Sequence, residues 1–509
     1  MVIFNKIIQN IVCAVTLLFV TTNAYSTSFK TLRTGSGISA ILYSTKNPAN
    51  EKNLHVQVPG DSNIYYGGLT TIPIEDTIRM SIDDTVYYLK LSEPVEPSFF
   101  VSLTDITAGE TFEIQLSAQG NFTIDCGNGN VQTINRTDTT NTTYSCTYIS
   151  GGNYTVGIGG LAISYSATIS TAISFYSSAH AATHPNRAKM TGISGDLGQI
   201  FPILNATTSG SPRFYQTFRN TAITSMPPEL FASVQGAPTN GMFYQTFYNC
   251  SGLTSIPAGL FSGITGAPAT NMFYQTFYNC SGLTSIPAGL FSGITGAPAS
   301  SMFSGTFQNC SGLSGSIPAG LFGNLTGAPA TAMFGNTFNG CSGLISIPEG
   351  LFSGITGAPA SSMFSGTFQN CSGLISIPEG LFSGITGAPA SGMFQDTFNG
   401  CSGLSGSIPA GLFGNLTGAP AGAMFNRTFY DCSGLTGSIP EGLFGNLTGT
   451  PASMMFNRTF FGNTGLRGSS AKSDGQYLYE KWPDAGDGCY GGNAWQNLDD
   501  AASIPSTWR

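Results

Sequence analysis

The sequence predicts a multidomain chain in which an N-terminal β part precedes an α/β solenoid of about nine 30-residue repeats. The first observation behind this is a fixed period. A Met-Phe or Arg-Phe pair recurs with its Phe at Phe214, Phe243, Phe273, Phe303, Phe334, Phe364, Phe394, Phe425 and Phe456, in steps of 29 to 31 residues, and a period in this range marks stacked repeats. The second is the apolar pattern inside each copy. Met272, Phe273, Thr276, Phe277 and Cys280 are spaced as one face of a helix that Pro268 opens and Gly282 stops, and residues 283–286 read as a short strand closed by Pro287. The third is the alternating apolar pattern of short runs before residue 176, bounded by turn residues.

Composition narrows the class. Charged residues make up 9% of the chain, against about a quarter in ordinary soluble domains. A net charge of -8 over 509 residues leaves no basic stripe, so nucleic acid is excluded as a partner. The 41% hydrophobic content is enough for buried cores, and the length allows about two to four domains. Low charge together with 66 Gly points to an extracellular repeat protein.

Residues 1–24 carry Lys6, an apolar run over 11–20 and Ala24, the pattern of a secretory signal cleaved after Ala24. The competing reading is an uncleaved anchor, for which the run is short. No later segment reaches spanning length. The mature chain is therefore expected to be secreted or at the cell surface, with no transmembrane segment after signal removal. Residues 25–97 read as a small β region, with Pro94 and Pro97 marking a linker.

Residues 98–175 read as a β-sandwich. The stretch 122–131, with Tyr148 and the run 152–156 after it, resembles the PKD-like immunoglobulin-type module. That family's loop reads aromatic-Gly-Asp-Gly; here Cys126 and Asn128 stand at the aromatic and Asp positions. Cys126 and Cys146 lie 20 residues apart in an exported, strand-rich segment, which points to a disulfide, the alternative being two buried thiols. Residues 176–212 read as a connector and N-terminal cap. His180 and His184 could share a metal if helical, but the Glu of the protease motif and a third ligand are missing, so neither metal nor cofactor is expected.

Residues 213–466 are the repeats, and comparing copies separates wall from surface. The Phe277 position is Phe in every copy, from Phe218 to Phe460, whereas the Tyr274 position drifts to Ser304, Gly335, Gln395 and Asn426. Cys250, Cys280, Cys310, Cys341, Cys371, Cys401 and Cys432 lie a full repeat apart, without the short spacing of a zinc or redox site. They read as a reduced, buried ladder in which Cys acts as a small apolar residue; bridges between neighbouring copies are the alternative. The last segment, 467–509, holds all three tryptophans and reads as the C-terminal cap.

The wording from Cys280 through Leu283 and Ile286-Pro287 to Leu290-Phe291 resembles leucine-rich repeats. The preceding Thr-Phe-x-Asn-Cys-Ser-x-Leu is similar to bacterial BspA-like leucine-rich-repeat surface proteins. The usual L-x-L element is replaced by the apparent Met-Phe helix. The resemblance implies a sheet whose outward residues are Thr254, Ser255, Thr284, Ser285, Ser316, Ser346, Ser376, Ser407 and Ser438, an uncharged row for binding protein or glycan through hydroxyls and shape. The bland alternative is a merely solvated sheet face. The expected function is a secreted or cell-surface interaction and adhesion protein that binds host or neighbouring-cell protein or glycan. Two alternatives stand beside it: a polysaccharide- or ice-binding module using the Ser/Thr array, and a hydrolase with its site before residue 213. Scattered acids and the absence of a Gly-x-Ser-x-Gly elbow in the repeats predict that the chain is not an enzyme.

Overall fold

The structure, a computed structural model, describes residues 96–166, 171–175, 186–204 and 211–509, together with the backbone of six strands before residue 92. The expected signal segment, His180 and His184 lie outside the described residues. The chain divides into two compact units, Met1–Glu96 and Pro97–Arg509. In the first, β1 (Phe29–Arg33), β2 (Ser39–Thr45), β5 (Thr77–Ile82) and β6 (Thr85–Leu91) form an antiparallel sheet in the order β1-β2-β6-β5, and β3 (His55–Gln57) pairs with β4 (Ile64–Tyr66).

The second unit opens with two antiparallel sheets. The larger contains β7 (Phe99–Ile106), β9 (Gln119–Asp125), β10 (Val131–Arg136), β12 (Gly152–Ser164) and β14 (Met190–Gly195), in the order β10-β9-β12-β7-β14. The smaller is β11 (Thr142–Thr147), β8 (Thr111–Leu116) and β13 (Ile173–Ser174). Alternation in β8 buries Phe112, Ile114 and Leu116, as a sheet packed on one face requires. Cys126, just after β9, is disulfide-bonded to Cys146 on β11 with the Cα atoms 5.5 Å apart, so the bond ties one sheet to the other.

In the repeats the expected helix is not formed, and the α/β solenoid prediction is corrected. Helix is confined to short segments such as α1 (Asn186–Lys189), α2 (Leu197–Ile200) and α3 (Leu478–Lys481). The segment around Met272 is a ribbon of successive β-turns. Tyr274, Thr276, Tyr278 and Cys280 each donate their amide to the carbonyl three residues back at 3.2 Å. The alternate amides leave the copy: Phe273, Gln275, Phe277 and Asn279 donate to Met302, Ser304, Thr306 and Gln308 of the next one at 2.7 to 2.9 Å. Every fourth residue is left-handed, with φ of 55° at Asn271, 50° at Gln275 and 55° at Asn279, a conformation that an α-helix of L-residues does not contain. A four-residue turn places residues 272, 273, 276, 277 and 280 on one side just as a helix does, and nine residues are too few for the 3.6-residue drift to tell them apart.

The short strand expected after the Cys shrinks for a related reason. Pro287 and its counterparts remove a donor at once, so neighbouring copies share few bonds here, such as Thr284 N–H to Thr254 O at 3.3 Å. Named strands in this segment are limited to β15 (Gly315–Ser316) and β16 (Leu344–Ser346), which pair in parallel. Isolated parallel bridges on another side, Gly266 to Ile294 and Gly296 to Leu325 among them, repeat along the array. The sheets of the repeats are therefore small, and the copies are held as rungs by turn-ribbon bonds and single bridges.

Side chains of successive rungs stack in columns. Phe243, Phe273 and Phe303 are spaced 5.5 Å between ring centroids and lie within 5° of parallel. Phe247, Phe277 and Phe307 form a second column at 5.3 and 5.6 Å. The Phe291 column meets the first at a tilt. All of these rings are buried, and the repeats share one continuous core with the sandwich. Close approach also fixes the glycines. A Cβ on Gly354 would overlap the Leu325 carbonyl oxygen of the preceding rung, whereas one on Gly357 would meet open space and face only its φ of 104°. Gly354→Ala is expected to cost about 2–3 kcal/mol by overpacking and Gly357→Ala about 1 kcal/mol. Equal losses in chemical denaturation would contradict this packing.

Each end of the array is covered. At the front, Phe175 stacks on Phe218 at 5.6 Å, extending the second Phe column into the sandwich, and Phe175 N–H donates to Thr217 O at 3.0 Å. Asp196 caps α2 through Gly198 N–H and also accepts Ser233 N–H from the first repeat. At the back, residues 486–492 form a degenerate further rung. Phe460 N–H donates to Cys489 O at 2.8 Å and Tyr490 stacks on Phe460 at 5.5 Å. Gly488 and Gly492 hold left-handed φ of 69° and 62°. Gly486 stands where the first column would have Phe, and the ring of Trp508 occupies that space. The whole Trp508 side chain is buried against Phe456 and Tyr490.

Candidate functional site

The interior columns explain two residue types that never vary freely. Thr occupies the position of Thr276 in all nine copies and is fully buried. Its hydroxyl donates to a Phe carbonyl one rung back, as in Thr276 to Phe243 at 2.8 Å and Thr306 to Phe273 at 2.9 Å, which satisfies a group that would otherwise cost its full desolvation. The cysteines do the same. Cys280, Cys310, Cys341, Cys371, Cys401 and Cys432 each donate from Sγ to a Phe carbonyl of the preceding rung at 3.0 Å, and Cys250 does so at 2.9 Å. All seven are unbridged and buried, and so is Cys489. Burial pushes the Cys250 thiol up to about 11 and those of Cys310, Cys401 and Cys489 to about 12; the remaining four rise well above the ordinary thiol range. A thiol reagent at neutral pH is expected to leave these eight untouched in the folded protein and to label them after unfolding; rapid labelling of the native protein would contradict the burial.

The row read from the sequence does lie outside, but it is not uniform. Thr254, Ser255, Thr284, Ser285, Ser316, Ser376, Ser407 and Ser438 are exposed and Ser346 is half-buried. Several hydroxyls are already engaged. Thr254 donates to Thr224 O at 3.4 Å, Thr284 to Thr254 O at 3.3 Å, and Ser316 and Ser346 bond each other at 2.6 Å. In the column of Thr254 and Thr284 the later rungs carry Ile345 and Ile375, 47% and 55% exposed, so apolar surface interrupts the hydroxyls.

A second row was missed. Thr265, Thr295, Thr326, Thr356, Thr386, Thr417 and Thr448 are all exposed, one per rung. Each donates its amide to a Gly carbonyl one rung back, Gly236 through Gly418, at 2.8 to 2.9 Å, which holds the row in register. No partner for these hydroxyls occurs among the described residues. Two residues further on, past a glycine of positive φ such as Gly266 at 97°, stand exposed Ala267, Ala297, Ala328, Ala358, Ala388 and Ala419. The signal was present in the recurring Thr-Gly-Ala-Pro, which reads from sequence only as the place where the copy resets.

No family model, no curated protein and no solved structure matches the chain. The likeness to BspA-like proteins and to PKD-like modules thus rests on the residues quoted for it. Among the described residues, no helix is long and apolar enough to cross a membrane and no group of three His, Cys, Asp or Glu side chains could hold a metal ion. Acids in the repeats stay apart or pair locally, as Asp396 does with Arg427 at 3.5 Å. The repeats present nearly uncharged rows whose side chains recur once per rung.

Proposed function

We propose that this is a secreted or cell-surface interaction protein that displays its repeat array to protein or glycan on a host or neighbouring cell. The observation that carries the reading is the threonine row. Seven exposed hydroxyls in register, none engaged by the described residues, have no structural task, yet the backbone beneath them is held rung by rung. Recognition on such a face depends on shape and hydrogen bonding, with little steering by charge. The secretory pattern of residues 1–24 and the BspA-like wording of the repeats support an exported location. The test is a binding screen of the mature chain against glycans and matrix proteins, repeated with Thr295→Lys and Thr356→Lys. Binding that both substitutions abolish supports the reading, and a hit that neither affects removes this face from it.

The same row favours a second reading, a module that binds ice or crystalline polysaccharide. An array of hydroxyl groups in register at about 4.8 Å per rung can order a lattice of water or sugar hydroxyls. Inhibition of ice recrystallisation by the wild type, lost in Thr356→Lys, would favour it over the first. Equal inhibition by both proteins would rule this face out.

A further inference from the structure

The turn ribbon presents another face, and there the copies differ in a way that builds a trough. In the first three rungs one outward column is aromatic: Tyr215, Tyr244 and Tyr274 stack at 4.7 Å. On the next rungs the column falls to Ser304, Gly335 and Ser365, placed in register by the bonds Gln275 N–H to Ser304 O, Gly305 N–H to Gly335 O and Asn336 N–H to Ser365 O at 2.8 to 2.9 Å. It rises again at Gln395. One face of the Tyr274 ring lies on Tyr244; the other looks along the stack over Ser304, which is too short to cover it.

A row of amides runs beside the depression, Gln308, Asn339, Gln369 and Asn399, all half-buried. Gln308 has no side-chain partner among the described residues, and Gln369 accepts from Asn339 at 3.0 Å, which leaves its own amide N–H groups for a ligand. Charge is absent from the floor and from this wall. The nearest carboxylate, Asp396, is held by Arg427 and Asn399.

We propose that this trough, from Tyr274 to Gln395, binds an extended, neutral, β-1,4-linked hexose chain. The proposal rests on the reading of the array as a glycan-binding surface and names a site and a ligand class for it. A pyranose turns one apolar C–H face to an aromatic ring, and Tyr274 offers an open one. Hydroxyls of the sugar both donate and accept, and primary amides do the same. The rung repeat of about 4.8 Å is close to the length of one sugar unit in such a chain, so each unit meets one amide. An anionic chain would find no unpaired cation at the trough's end, since Arg427 is paired with Asp396, to which Gln395 also donates at 3.2 Å.

The experiment is calorimetric titration of the mature chain with cellohexaose. Saturable binding is expected, weakened about tenfold by Tyr274→Ala and lost in the double variant Ser304→Tyr, Ser365→Tyr. Tyr at this position is already carried by the first three rungs, so the filled variant should fold, and an unchanged melting temperature confirms it. Thr356→Lys, on the other face, should leave the affinity unaltered. The proposal is overturned if millimolar cellohexaose does not bind, or if binding survives both ribbon-face variants. Loss through Thr356→Lys alone would also overturn it, by assigning the glycan to the threonine row, and would leave the broader interaction reading intact.

Discussion

Raising the pH from 8 to 10 is expected to unfold the repeat array. Eight free thiols are buried, and burial lifts each above its unfolded value of about 8.5, to about 11 at Cys250 and about 12 at Cys310, Cys401 and Cys489. The native state therefore holds protons that the unfolded chain releases. Stability is complete below the unfolded pKa and falls as the pH rises from there toward the folded one. At pH 9.5 each thiol that stays protonated in the native state costs roughly 1 kcal/mol of stability, and eight together on the order of 10 kcal/mol, comparable to the whole stability of an ordinary domain. Denaturation midpoints measured from pH 7.5 to 10.5 should drop steeply above about 8.5. Replacing Cys310 and Cys341 by Ala should reduce that slope by about a quarter, two thiols of eight. A flat profile would mean that the thiols are not protonated core groups.

Phe338→Ala should be among the most damaging single changes, at about 3–5 kcal/mol. The ring is fully buried in mid-array, stacked on Phe307 at 5.8 Å and Phe368 at 5.7 Å and tilted against Phe322 and Phe352 at 6.3 Å. Its loss empties a space that the bonded rungs on either side cannot close. Because each rung contacts mainly its neighbours, the damage should be local. Hydrogen exchange is expected to speed up in the rungs carrying Phe307, Phe338 and Phe368 before those near either cap. A loss under about 1 kcal/mol would show that the column relaxes, contrary to the rigid stack described above.

Much of the interior was legible in the sequence because copies within one chain act as their own comparison. Phe in every copy and Cys in seven of nine mark the wall. The backbone that carries them was not legible from apolar spacing, since a four-residue turn and a helix bury the same five positions. What separates them is the residue at each left-handed position. Asn279, Asn309, Gly340, Asn370 and Gly400 occupy one such row, and Asn and Gly are the residues that tolerate that conformation. That turn chemistry was overridden by the apparent helical face. The closing rung in the tail was hidden for a different reason: Gly486 takes the Phe position, and its ring is supplied by Trp508, 22 residues further along the chain. The Thr265 row went unread because surface threonines between Gly and Ile look like a loop until the rungs are aligned.

The central claim is that successive copies are single rungs in register. Spin labels on cysteines introduced at Thr265 and Thr448, exposed positions six rungs apart, test it directly, since the native thiols are buried. At about 4.8 Å per rung, pulsed dipolar spectroscopy should give one narrow distribution centred near about 29 Å. A broad distribution, or a mean well beyond about 40 Å, would show copies that do not stack.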